Sequence, residues 1–177
     1  MRVLLLTAAA ILALVPLSAA PAPLRVVPTV DLTRYAGTWY EIARLPNRFQ
    51  EKCAGEVVAA YELRPDGRVT VTNRCRTTAG DVTVAAGIAR RVDGQPPSVL
   101  EVRFAPAFLS FLPAVWGDYQ IIALGSDYDH AVVGTPDRAY LWVLSRSRVL
   151  ATSPYDAAIA TAKASGFDIT RLVPTNR

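Results

Sequence analysis

VVAAYELRPDGRVTVTNRC, residues 57–75, reads as two strands and the turn that joins them. Pro65 presets one turn dihedral and Gly67 accepts a positive φ. Pro65-Asp66-Gly67 is therefore a strong hairpin signal between the runs 57–63 and 68–75. In the second run Val69, Val71 and Asn73 face one way, while Thr70, Thr72 and Arg74 face the other. Period two with one polar face marks an antiparallel sheet that is wet on one side.

The same signature recurs on both sides of the hairpin. Run 39–45 is ended by Pro46-Asn47, and run 81–92 by the turn residues 93–97. In run 99–104 Leu100, Val102 and Phe104 oppose Glu101 and Arg103. Runs 118–124 and 129–134 flank Gly125-Ser126-Asp127, and run 139–146 follows Thr135-Pro136-Asp137. Eight short strands with tight links predict an all-β barrel or sandwich. Upstream, residues 31–35 suit a short helical turn, and the Pro-rich stretch 21–28 suits an extended, poorly ordered arm. One helix ends the pattern, with Ser153 as its cap, Pro154 at its first position and Asp156 favouring its N-terminal dipole. Ala157 to Ala164 carry it and Gly166 stops it, so it packs outside the strands.

Composition narrows the function. The 177 residues suit one domain, and 51% hydrophobic with 19% charged residues argues against long disorder. The net charge of +4 is spread along the chain without a basic run, which argues against a nucleic-acid partner. Residues 1–22 have the make-up of a secretory signal. Met1-Arg2 supplies the positive start, Val3 to Pro16 the apolar stretch, and Ser18-Ala19-Ala20 a small-residue site, with cleavage near 20–22. Residues 23–177 are then one domain, exported, periplasmic or secreted, and soluble. Lipid attachment would need a cysteine near position 20, and none is there. The two cysteines, Cys53 and Cys75, suggest one disulfide in an exported chain. A catalytic thiol would instead need a His partner, and a metal site would need more ligands than a lone His130 adds.

At residues 37–44, GTWYEIAR, the chain resembles the first motif of the lipocalin family, a Gly-x-Trp opening strand one. Ser126-Asp127-Tyr128 is similar to the second motif, a turn between strands six and seven, and Leu144-Ser145-Arg146 to the third, an Arg closing strand eight. The longer strings WYEIARLPNRFQ, DHAVVGTPDRAYLWVLSR and GFDITRL are similar to the bacterial outer-membrane lipocalins and their relatives around apolipoprotein D and plant temperature-induced lipocalins. The resemblance runs from about Asp31 to Leu172. It implies an eight-stranded antiparallel up-and-down barrel with the single C-terminal helix packed outside. It makes Gly37, Trp39, Asp127, Tyr128 and Arg146 structural, with Arg146 over Trp39 at the closed end, a cation–π contact of roughly 0.5–2 kcal/mol. The best-known bacterial members carry a lipoprotein cysteine, from which this chain departs.

Such a barrel is just wide enough to hold one small ligand. Counting by twos from Trp39 selects Glu41 and Ala43 as inward, and counting back from Arg146 selects Leu144, Trp142 and Tyr140. The hairpin offers Ala59, Tyr61, Val71 and Asn73. Strands five to seven offer Leu100, Val102, Phe104, Tyr119, Ile121, Ala123, His130 and Val132. This mostly apolar interior suits a lipid-like molecule, a fatty acid or (lyso)phospholipid, carried or stored in the cell envelope without catalysis, metal or cofactor. The rival readings are a lipid-modifying isomerase using Cys53, Cys75, Glu41 or His130, and a binder of a haem-like or pigment ring stacked on Tyr140 and Trp142. The loop 105–116 lies at the open mouth. Its Phe108, Leu109, Phe111 and Leu112 either make transient membrane contact and gate entry or pack locally under Cys53. A monomer and a homodimer both fit.

Overall fold

A computed structural model describes residues 22–175, so all of the expected leader except Ala22 lies outside the described residues. The first helix among the described residues is the short α1 (Leu32–Tyr35), capped by the Asp31 carboxylate, which accepts from the Thr33 amide at 2.8 Å. Eight strands follow: β1 (Gly37–Arg44), β2 (Cys53–Leu63), β3 (Val69–Thr77), β4 (Val82–Arg91), β5 (Val99–Arg103), β6 (Gly117–Leu124), β7 (His130–Gly134) and β8 (Leu141–Ser145). Each pairs antiparallel with the next, and β1 pairs with both β2 and β8. That double pairing closes the sheet on itself and decides for the barrel over the sandwich. Helix α2 (Thr152–Ala164) lies outside, and a two-residue strand β9 (Val173–Pro174) pairs with the end of β1.

The 57–75 hairpin forms with Leu63 opposite Val69, and Gly67 takes a φ of 77°. Strand β2 starts earlier than the alternation suggested. Register shifts on either side of Gly55, with Glu56 at a φ of 49°, extend it back to Cys53. Cys53 stands opposite Thr77, and the shifts bring it within 5.6 Å (Cα–Cα) of Cys75, to which it is disulfide-bonded.

Two further bulges shape the interior. In β1 the register against β8 shifts between Glu41 and Ala43, and in β6 the register against β7 shifts between Ile121 and Ala123. Each places two successive residues, Ile42-Ala43 and Ile122-Ala123, on the outer side. The result is two apolar cores. The inner one gathers Trp39, Val69, Val71, Leu100, Ile121 and Val133, and the outer one joins Ala43, Ile122, Val132 and Val143 to Ala158 and Ala162 of α2.

The helix departs from expectation at its start. It begins at Thr152 behind Ala151, which makes no side-chain cap, so Ser153 and Pro154 both sit inside the first turn. Proline is tolerated there because those amides have no partner within the helix. Gly166, at a φ of 87°, ends the helix. Its amide donates to the Lys163 carbonyl at 3.0 Å and that of Phe167 to the Ala162 carbonyl at 3.1 Å.

The arm before α1 is anchored rather than loose. Leu24 is buried in the outer core and Val30 in the inner one. The Val27 amide donates to the Ile121 carbonyl at 2.9 Å, while the Ser98 hydroxyl donates to the Val27 carbonyl. Apolar residues interspersed with the prolines give this stretch enough burial to offset its ordering.

Candidate functional site: the barrel chamber and its mouth

The barrel encloses a chamber of about 780 Å³, a size within the range of small-molecule sites. Its closed end is built from α1 and the ends of β1 and β8. Trp39 is fully buried, and its indole N–H donates to the Tyr35 carbonyl at 2.8 Å. The Arg146 guanidinium lies 3.9 Å from the Trp39 ring centroid and donates to the carbonyls of Arg34, Tyr35, Ala36 and Thr38. Gly37 is required beneath it, because its φ is 99° and a Cβ would stand 3.1 Å from an Arg146 nitrogen. The Tyr128 hydroxyl accepts from the Asp31 amide at 2.9 Å and so pins α1 to the β6–β7 turn, on which Asp127 is exposed.

Above this floor three phenols meet. The Tyr119 hydroxyl lies 2.7 Å from that of Tyr35 and 3.0 Å from that of Tyr61. Burial, above all, pushes the Tyr61 phenol up to about 12, and it holds those of Tyr35 and Tyr119 well above the ordinary value. All three therefore stay protonated and neutral near pH 7.

Nearer the mouth a buried polar network crosses the wall. Glu41 accepts from Arg44 at 2.9 Å, from the Gln50 amide at 2.6 Å and from the Thr175 hydroxyl. The Gln50 carbonyl oxygen accepts in turn from the Trp142 indole at 2.9 Å and from the Asn47 amide at 2.8 Å. The network ties the β1–β2 loop and the C-terminal segment to the chamber. Asp118, also in the wall, has its carboxyl raised by burial and then by the nearby Glu101 and Asp137.

Of the residues read as inward, Glu41, Ala59, Tyr61, Val71, Asn73, Leu100, Val102, Phe104, Tyr119, Tyr140, Trp142 and Leu144 line the chamber. Ile121 points inward but is packed into the inner core beneath it. Four residues stand elsewhere. The β1 bulge turns Ala43 outward and the β6 bulge turns Ala123 outward, both under α2. Val133, not Val132, pairs with the inward Trp142, so Val132 faces α2. His130, on the same side of β7 as Val132, sits beside the β6–β7 turn with its ring nitrogen 2.9 Å from the Asp129 carboxylate. Period-two counting missed the inward Val133, and it assigned no inner face to β4, whose Ala85 and Ala89 are in the wall. Tyr35 was legible only as part of a helical turn. Its place in the chamber depends on closure between distant parts of the chain.

The β5–β6 connection forms two 3-10 turns (Ala107–Leu109 and Pro113–Val115) at the open end. Phe108 and Phe111 are 74% and 76% exposed, Leu112 is exposed and Leu109 is half-buried. Phe49, Val82, Val84 and Phe104, at the same end, are exposed too. Local packing under Cys53 therefore does not account for the two phenylalanines.

Fold and chamber together define a closed, single-layer antiparallel barrel around an apolar cavity, open at one end and plugged by Trp39 at the other. The chain belongs to the lipocalin family: residues 30–177 match the lipocalin-like domain. It is 38% identical over 154 residues to temperature-induced lipocalin-1 of Arabidopsis thaliana, covering 86% of this chain and 82% of that protein. It is 37% identical to the outer membrane lipoprotein Blc of Escherichia coli, covering 98% and 96%, and 26% identical to apolipoprotein D of Macaca fascicularis, covering 83% and 77%. Among solved structures, insecticyanin of Manduca sexta superposes with a TM-score of 0.68 at 18% identity, covering 89% of this chain and 86% of that one. Apocrustacyanin C1 superposes at 0.67 and 19%, covering 83% and 79%. These two likenesses are of fold. Membership in the family supports the binding of small hydrophobic molecules.

Proposed function

We propose that the protein binds one amphiphile of fatty-acid or (lyso)phospholipid type in the barrel and carries or stores it in the cell envelope, acting by binding and not by catalysis. The observation that carries this reading is the apolar chamber of about 780 Å³, open at one end. Burying an acyl chain contributes about 0.8 kcal/mol per methylene, so ten of them give roughly 8 kcal/mol gross. That leaves enough for about micromolar binding after the cost of association. The groups an isomerase would draw on are engaged or apart. Cys53 and Cys75 are joined to each other, Glu41 is held in its network, and His130 is off the chamber wall. The disulfide between Cys53 and Cys75 also supports export to an oxidising compartment.

The apolar mouth supports brief contact with a membrane during uptake or release. Phe108→Ser with Phe111→Ser should weaken vesicle binding and slow lipid uptake, and unchanged values for both would refute the contact. For the carrier reading itself, native mass spectrometry of the protein purified from its own host, followed by lipid extraction, should show one lipid mass per chain. A coloured protein with a ring compound in that extract would overturn it.

A further inference from the structure

Three phenol hydroxyls supplied by three separate elements, α1, β2 and β6, converge at the deep end of the chamber. Tyr119 is bonded to both Tyr35 and Tyr61. Each hydroxyl brings one proton, and each hydrogen bond uses one. Two bonds among three hydroxyls leave one proton without an acceptor, and no other contact of these hydroxyls appears among the described residues. That spare donor belongs to the wall of a chamber open at its mouth, where an oxygen of an entering molecule can accept it in place of water.

We propose that the Tyr35–Tyr61–Tyr119 cluster is a deep anchor for a neutral oxygen at the far end of the ligand, so that the chamber prefers amphiphiles with oxygen at both ends over plain acyl chains. This rests on the carrier reading and names a ligand class within it. A hydroxyl, ketone or ester carbonyl fits, since the hydroxyls of the cluster can also accept. A carboxylate does not. The cations of the chamber wall, Arg48, Lys52 and Arg74, belong to its mouth half, where they suit an anionic head. The guanidinium below the cluster, Arg146, has its donors committed to backbone carbonyls, and the charge acting most directly on Tyr61 is that of Glu41, of the wrong sign for an anion. The ligand then lies head to the mouth, with its far oxygen on the phenols.

The probes are hexadecanoic acid and 16-hydroxyhexadecanoic acid, equal in length and head group, each titrated against the full protein by calorimetry. The hydroxylated acid should bind roughly three- to tenfold more tightly, the span that one net hydrogen bond supplies. In the triple variant Tyr35→Phe, Tyr61→Phe, Tyr119→Phe that ratio should fall to one or below, because the far hydroxyl then loses its water without a partner. Hexadecanoic acid, titrated against the same variant, is the reference from which that ratio is taken. Should the triple variant not fold, Tyr61→Phe with Tyr119→Phe should reduce the ratio in the same sense. Equal affinities in the unsubstituted protein, or a ratio that survives loss of the hydroxyls, overturn the anchor while leaving the carrier reading intact. Absence of binding by hexadecanoic acid in the unsubstituted protein overturns the carrier reading and the anchor with it.

Discussion

Arg146→Met removes a residue whose contacts hold the closed end together. The guanidinium donates to five carbonyls, those of Arg34, Tyr35, Ala36, Thr38 and Tyr128, at 2.7–3.2 Å, and stacks on Trp39. The Tyr35 carbonyl keeps the Trp39 indole as a donor, and the bonds to Arg34 and Thr38 lie where water can replace them. The carbonyls of Ala36 and Tyr128 are partly buried and would be stranded, at about 1–3 kcal/mol each. Adding a partly exposed cation–π contact, the loss should come to about 3–5 kcal/mol. For a domain of this size that lowers Tm by roughly 6–20 °C. Urea unfolding followed by tryptophan fluorescence measures it directly. Arg146→Lys should recover less than half, since one ammonium cannot reach both the α1 carbonyls and Tyr128. A loss under about 1 kcal/mol for the methionine variant would refute the reasoning that this residue clamps the floor.

Three further outcomes follow from the geometry. Cys53→Ser with Cys75→Ser opens a loop with a sequence separation of 22 and should cost about 3 kcal/mol in urea, and a cost near zero would mean the bulged start of β2 is held without the bridge. Three of the seven tyrosines should ionise late when phenolate absorbance is followed with pH, because burial raises them. The unfolded chain loses those protons first, so the stability they contribute is complete below about pH 10 and falls as pH rises toward 12; seven tyrosines titrating together near 10 would contradict it. Gly134→Ala would put a Cβ 2.4 Å from the Phe167 ring, on the outer side under α2, and should cost roughly 1–3 kcal/mol in a melt while hexadecanoic acid binding stays unchanged.

The strands, the hairpin and the family motifs were legible because one face of β3 and β5 is polar, so alternation has something to alternate with. The inner face failed where both faces are apolar. Around β6, β7 and β8 the outer side is covered by α2 and the N-terminal arm, and Ile42-Ala43 and Ile122-Ala123 look the same from either side. A bulge there leaves no mark in the pattern, which is why Ala43 and Ala123 face outward against the count by twos. Strand β7 carries no bulge toward β8 but is buried on both faces, so alternation does not choose Val133 over Val132 and His130. Strand β4 was unreadable for a different reason. Ala85-Ala86-Gly87 is small throughout, and at Gly87 a Cβ would stand 2.6 Å from the Arg103 carbonyl oxygen and 2.7 Å from the Phe104 ring, neighbours that closure of the sheet brings there. The phenol cluster joins residues 84 and 58 positions apart, which no local pattern reports.

The central claim is that the chamber is usable space. Titration with hexadecanoic acid should saturate at one molecule per chain in the unsubstituted protein, with a Kd of about micromolar order. Ala59→Phe combined with Val71→Phe, two inward positions on the paired strands β2 and β3, should abolish saturation while the protein stays folded. No saturable site in the unsubstituted protein, or undiminished binding by a folded variant so filled, would contradict the account.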